Sequence, residues 1–237
     1  MTTAHCEWGP NGIAVLRGRA KVFVIVDVLS FSTAVDIAVA RGASIVPFPL
    51  GSGEAAAIAA RASGAILANP KRAASGQYSL SPASLQTIAA GTKLMLPSPN
   101  GSKLSLACGG AVVFAGCLRN ATAVAKAALH AAEGGDIAVI PAGERWRSDD
   151  SLRPAIEDWL GAGAILDALG LPPSAEACVA RDTFRAARAD MAQTIRDSLS
   201  GRELIESGFA VDVELAVQRD VSICAPRLQR GCYVSGA

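Results

Sequence analysis

Residues 22–43 read V-F-V-I-V-D-V-L-S-F-S-T-A-V-D-I-A-V-A-R-G-A. Val22–Val26 is apolar at every position, the pattern of a strand covered on both faces. A carboxylate, Asp27, ends the run. Hydroxyls follow at Ser30, Ser32 and Thr33, and a small-residue helix over Ser32–Ala40 stops at Gly42. Strand, polar turn, helix is the unit of a parallel sheet.

The unit recurs. Apolar runs at Ile13–Leu16, Ser44–Phe48, Lys93–Leu96, Ala111–Ala115 and Asp136–Ile140 are further strand candidates. Helices are expected over Gly53–Ala62, Asn120–Ala132, Pro154–Leu169, Ser174–Asp190 and Met191–Ser198, and from Ser102. The fold class is α/β: a mainly parallel sheet flanked by helices. Its helical C-terminal part returns to the sheet through Val221–Ala225 and Gly231–Val234. The domain is read as residues 1–237, with two subdomains and a boundary near Pro172-Pro173 left open. Asn69–Pro82 is non-periodic and reads as a long loop.

Composition narrows the function. The 237 residues are 51% hydrophobic and 18% charged, with a formal net charge of +1. A basic face that neutralises phosphates is missing, so no nucleic acid partner is expected. No apolar run reaches membrane-spanning length, so no membrane partner is expected. The N-terminal stretch M-T-T-A-H-C-E-W carries no secretory signal. The six cysteines form no C-x-x-C pair, and there are two histidines, which speaks against zinc. Buried thiols in a reducing cytoplasm are the expectation. The G-x-S-x-G elbow, the P-loop, an early G-x-G-x-x-G and the strand-end D-x-D-x-T are all absent.

In a parallel sheet, ligands bind beyond the C-terminal ends of the strands. Asp27 with Ser30, Ser32 and Thr33 fits a cation or polar-ligand site; a capped helix with a hydrogen-bonded aspartate fits equally. After Lys93–Leu96 comes P-S-P-N-G-S. There Ser98, Asn100, Gly101 and Ser102 can cradle an anion if Asn100-Gly101 adopts positive φ. After Asp136–Ile140, Glu144, Asp149, Asp150, Glu157 and Asp158 crowd among Arg145, Arg147 and Arg153. Glu157 and Asp158 precede a buried-looking helix, L-G-A-G-A-I-L.

These residues resemble a known family. V-I-V-D-V-L-S-F-S-T resembles the D-V-L-R-A-T-T-T block of the 2-phosphosulfolactate phosphatase family, the ComB-like proteins. L-S-P-A-S-L, L-P-S-P-N-G-S, C-L-R-N-A-T-A-V-A, P-A-G-E-R with A-I-E-D-W-L-G-A-G-A-I, and S-G-R-E-L-I-E-S-G-F-A-V-D resemble its later blocks, in order. The resemblance implies a Mg²⁺-dependent phosphatase converting 2-phospho-3-sulfolactate to 3-sulfolactate, a step of coenzyme M synthesis. It implies a small anionic phosphorylated substrate, bound by Ser30, Ser32, Thr33, Ser81, Ser98, Asn100, Gly101, Ser102 and Asn120. Asp27, Asp158 and Glu157 are the expected catalytic groups, and Asp27, Asp158 and Glu144 the expected Mg²⁺ ligands. A homodimer is left open.

The sequence departs from the family at Ser30, where the family has arginine, at A-N-P-K-R in place of G-E-R, and at Leu80 in place of asparagine. The threonines of T-N-G-T are answered by Ser102 and by the proline-adjacent Ser98. These changes mark a divergent branch. Two other functions stay open: a catalytically weak anion-binding module on the same fold, and a metal-free hydrolase or isomerase using the Glu144–Asp158 acids. Phosphate-ester hydrolysis itself favours a metal, because enzymes accelerate it by up to ~10²¹-fold and positioning alone falls short.

Overall fold

Successive side chains of a strand point to opposite faces. In the strand Ala20–Val26, Val22, Val24 and Val26 enter one hydrophobic cluster. Phe23 and Ile25 enter the other. The sheet is therefore covered on both sides here, as the continuous apolar run predicts. The computed structural model describes residues 2–51 and 53–236; Met1, Ser52 and Ala237 lie outside the described residues.

In chain order the strands are β1 (Ala4–Cys6), β2 (Ala20–Val26), β3 (Ser44–Pro49), β4 (Ile66–Leu67), β5 (Lys93–Ser98), β6 (Val112–Gly116), β7 (Asp136–Pro141), β8 (Glu144–Arg145), β9 (Leu152–Arg153), β10 (Pro226–Gln229) and β11 (Cys232–Ser235). The nine-stranded sheet has the order β1-β7-β2-β6-β10-β11-β3-β5-β4. The blocks β1-β7-β2-β6 and β3-β5-β4 are each parallel. The antiparallel hairpin β10–β11 is wedged between them, touching β6 through Arg227 and Phe114, and β3 through Tyr233 and Ile45. A separate ribbon, β8–β9, follows β7.

The helices are α1 (Gly9–Leu16), α2 (Phe31–Ala40), α3 (Gly53–Ser63), α4 (Pro82–Leu85), α5 (Gly101–Ala107), α6 (Ala121–Ala132), α7 (Ile156–Leu169), α8 (Ala175–Ala187), α9 (Met191–Asp197), α10 (Leu199–Glu206) and α11 (Ala210–Ala216). Every residue of α2 from Phe31 to Val39 is buried, so its apolar residues fall on all sides and its polar Ser32, Thr33 and Asp36 are hydrogen-bonded in the interior. Its side chains share one cluster with Ile45, Leu94, Val113 and Ala138, so the sheet wraps around it.

On the opposite face α7 lies close to β2. A Cβ at Gly161 would sit 2.7 Å from Val28 Cγ2 and 2.9 Å from Val26 Cγ1, and one at Gly163 would sit 2.3 Å from the Ala180 carbonyl oxygen. The glycines of L-G-A-G-A-I-L thus bring the start of α7 to the end of β2. Among the described residues no helix is long and apolar enough to cross a membrane.

Three expectations are corrected. Ile13–Leu16 is helical: Pro10 opens α1, and Gly9, Gly12, Ile13 and Leu16 form one buried face. Four apolar residues carry no period that separates strand from helix. Val221–Ala225 is irregular, because Asp220 N–H and Ser222 N–H bond to the Leu118 and Arg119 carbonyls and Ser222 Oγ bonds to Asp36. The returning strand starts one residue later, at Pro226. Helix α8 ends at Ala187, short of Asp190. At the proposed boundary, Ala4 N–H bonds to the Pro172 carbonyl, and α8, α9 and α11 share the first cluster with β2.

Candidate active site

Asp27 follows the last residue of β2, between the ends of β7 and β6. Its Oδ1 accepts from Phe31 N–H (3.2 Å) and its Oδ2 from Gly101 N–H (2.9 Å). The turn is held by its own hydroxyls. Ser32 Oγ donates to the Ile25 carbonyl and accepts from Asp27 N–H, and Thr33 Oγ1 donates to the Val28 carbonyl. Burial pushes the Asp27 carboxyl up to about 6, with Glu157 adding to the rise, while the Phe31 and Gly101 amides and Arg72 pull it down.

Gly101 is needed for a reason other than the expected positive φ, which it does not adopt. A Cβ there would lie 2.2 Å from Phe31 Cδ1 and 2.8 Å from Asp27 Oδ2. Only glycine lets the N-terminus of α5 approach the carboxylate this closely.

The first turn of α7 delivers two more acids, both buried. Asp158 Oδ1 accepts from Val28 N–H (2.7 Å) and Oδ2 from Gly143 N–H (2.8 Å), clasping the turns after β2 and β7 together. Burial holds its carboxyl well above the usual range, and the charges of Asp27 and Glu157 push the same way. Glu157 is raised by burial too, against the Ser200 hydroxyl and the Arg153 guanidinium; its Oε2 is buried without a partner. Neither acid faces solvent: the 100° step between helix neighbours turns Asp158 to the Val28 and Gly143 amides and Glu157 toward Arg153.

Glu144, on β8, completes the group. Asn100 Nδ2 donates to its Oε2 (3.0 Å). Burial, then the charge of Asp27, lifts its carboxyl to about 7.

Arg72 reaches this acidic group from the irregular segment 69–82. Its Nη1 donates to Asp212 Oδ2 (2.8 Å) and to Ser30 Oγ (3.0 Å), and its guanidinium lies over the Phe209 ring. Asp212, on α11 and fully buried, also accepts from Ser81 Oγ (2.6 Å) and Ala83 N–H (3.1 Å). Neither residue is among the sequence-based candidates. The basic residue in N-P-K-R and the aspartate closing S-G-F-A-V-D are the signals for them.

The remaining candidates divide. Ser30, Ser81 and Asn100 touch Arg72, Asp212 and Glu144, as described. Ser98 Oγ is buried without a partner. Ser102 Oγ is spent on the Leu96 carbonyl. Asn120 closes the turn after β6 through Cys117 N–H and the Ala115 carbonyl. With Ser32 and Thr33, these last two shape the backbone.

Among the described residues no three His, Cys, Asp or Glu side chains are gathered so that they could hold a metal ion, so the expected trio of Asp27, Asp158 and Glu144 does not form a joint ligand set. Mg²⁺ does not require one, since it commonly takes one or two carboxylates and completes its octahedron with water and substrate oxygens. Hard oxygen donors, mutual repulsion among four acids and the orphaned Glu157 Oε2 fit such a cation.

A family model described as 2-phosphosulpholactate phosphatase matches residues 14–231, a span containing every residue of the site. A protein of Carboxydothermus hydrogenoformans named "Probable 2-phosphosulfolactate phosphatase" is 31% identical over 223 residues, covering 90% of each chain. With the strand-end carboxylate, its glycine partner and the acidic start of α7 all inside the matched span, the chain belongs to the 2-phosphosulpholactate phosphatase family, a family of phosphoric monoester hydrolases.

Proposed function

We propose that this chain hydrolyses 2-phospho-3-sulfolactate, or a closely related small phosphorylated acid, to 3-sulfolactate and phosphate, and that it uses Mg²⁺. The observation that carries the reading is the meeting of Asp27, Gly101 N–H, Glu144 and Arg72 at one strand end. Mg²⁺, when bound, would neutralise charge on the phosphoryl oxygens; the two aspartates, Asp27 and Asp158, would hold it, which leaves Glu144 free for proton transfer.

The protein's own groups supply the rest. Arg72 sets a guanidinium, fixed by Asp212, beside Ser30, so serine in place of the family's arginine does not leave the position without a cation. Guanidinium groups match phosphoryl oxygens in geometry and charge. A carboxyl near 7 is poised for proton transfer at neutral pH. Glu144 can take the proton of the attacking water or return one to the leaving alkoxide oxygen.

The test is phosphate release from 2-phospho-3-sulfolactate by the purified protein. Turnover is expected in Mg²⁺, lost on chelation and restored by added Mg²⁺. No release from this substrate or from a panel of small phosphorylated acids would reject the reading; turnover that survives chelation would reject the metal.

A further inference from the structure

Between the β8–β9 ribbon and the start of α10 lies a cavity of about 450 Å³, lined by Glu144, Arg145, Trp146, Arg147, Arg153 and Glu203 among others. Its charge is mostly positive. Arg153, beneath the Trp146 ring, is paired with Glu203 Oε2 (3.3 Å). Arg145 Nη1 bonds only to the Asp150 carbonyl oxygen, and Arg147 makes no hydrogen bond or ion pair among the described residues. The nearby Asp149 carboxylate is turned back onto Ser151. Two guanidinium groups thus face the cavity without a carboxylate partner.

The cavity adjoins the reaction centre. Glu144 lines it and also accepts from Asn100, whose neighbour Gly101 holds Asp27. The acidic group is therefore flanked by two poles: Arg72 on the Ser30 side, and Arg153, Arg145 and Arg147 on the ribbon side. A substrate with one anionic group would need one pole.

We propose that the cavity of Arg145, Arg147 and Arg153 binds the non-reacting sulfonate of the substrate and so sets specificity for a phosphorylated sulfo acid. The inference rests on the phosphatase reading above and deepens it. Arg145 and Arg147, left without a carboxylate, can pair with sulfonate oxygens, and Arg153 adds positive charge although it is shared with Glu203. A sulfonate also stays ionised at any physiological pH, so it offers a permanent partner to residues that never deprotonate.

The experiment is calorimetric titration of the Mg²⁺-loaded protein with 3-sulfolactate and with lactate, which differ only in the sulfonate. Arg145→Ala/Arg147→Ala is the variant, since neither side chain is buried. Wild type is expected to prefer 3-sulfolactate by about tenfold or more, and the variant to lose most of that preference. Added NaCl should narrow the difference between the two compounds more in wild type than in the variant. A preference that survives the double substitution, or a wild type that does not distinguish the two compounds, overturns the proposal. Turnover is not needed, so a protein that discriminates 3-sulfolactate but releases no phosphate fails the catalytic reading and keeps this one.

Discussion

Gly101→Ala tests the site through its tightest contact. The new methyl would lie 2.2 Å from Phe31 Cδ1, 2.6 Å from Phe31 Cγ and 2.8 Å from Asp27 Oδ2. Carbon atoms pack at about 3.5–4.0 Å, so well over an ångström of overlap must be relieved. Phe31 is fully buried at the start of α2 and has nowhere to retreat. Such overpacking costs about 1–3 kcal/mol. Pulling α5 back also breaks the amide-to-carboxylate bond at Asp27, worth about 1.5–3 kcal/mol. Together these give about 2.5–6 kcal/mol, or a melting temperature lower by roughly 5–24 °C for a chain of this length. Gly53→Ala is the control, because a Cβ there meets nothing within 4 Å. Differential scanning calorimetry reads both. A Gly101→Ala protein that melts with the wild type would refute the contact and the argument for glycine at this position.

Three further outcomes follow from the same geometry. Asp212→Asn removes the charge that fixes Arg72 and should lower kcat/KM for phosphate release by about tenfold or more; unchanged kinetics would mean that Arg72 needs no anchor. In Glu144 the folded-state carboxyl is raised from 4.5 to about 7, so between those pH values the folded protein keeps a proton that the unfolded chain has lost. Stability from this group is thus present below pH 4.5 and lost as pH rises through about 7. Glu144→Gln should therefore gain stability relative to wild type across that window, by no more than about 3 kcal/mol in urea titrations without Mg²⁺; parallel curves would contradict the raised carboxyl. Asp158→Asn leaves one of the Val28 and Gly143 amides facing an NH₂ group, and should lower stability by about 1–3 kcal/mol and abolish Mg²⁺-dependent turnover. Near-normal turnover with a lowered melting point would reduce Asp158 to a strut.

The parts of this protein that the sequence reveals are those with a local signature. Ala20–Val26 is legible because five consecutive apolar residues end in a carboxylate, and the L-G-A-G-A-I-L helix because its glycines and flanking acids lie within one span. The pairing of Asp27 with Gly101 is legible as two polar strand ends, but its cause, the Phe31 ring, becomes visible only in three dimensions. Arg72 is hidden for a related reason. Its neighbours N-P-K-R-A-A-S-G have no period, and its partner Asp212 is 140 residues away. Ser32, Thr33, Ser102 and Asn120 mislead because a hydroxyl or amide beside a strand end serves a ligand or a backbone turn with the same residue types.

The hairpin β10–β11 joins the two parallel blocks, yet it follows every other strand in chain order. On the ribosome the blocks therefore emerge with their facing edges, β6 and β3, still unpaired. Open strand edges are templates for association with other chains, and the interval before they close is when a nascent chain is most exposed to it. A chain released before residue 226 would carry the whole candidate site, since Asp27, Arg72, Glu144, Glu157 and Asp158 all precede that point, and would still have an unfinished sheet. Such a truncated product should accumulate as aggregate or be degraded, and Arg227, Tyr233 and their neighbours should be sensitive to mutation in expression screens even though they touch none of the chemistry.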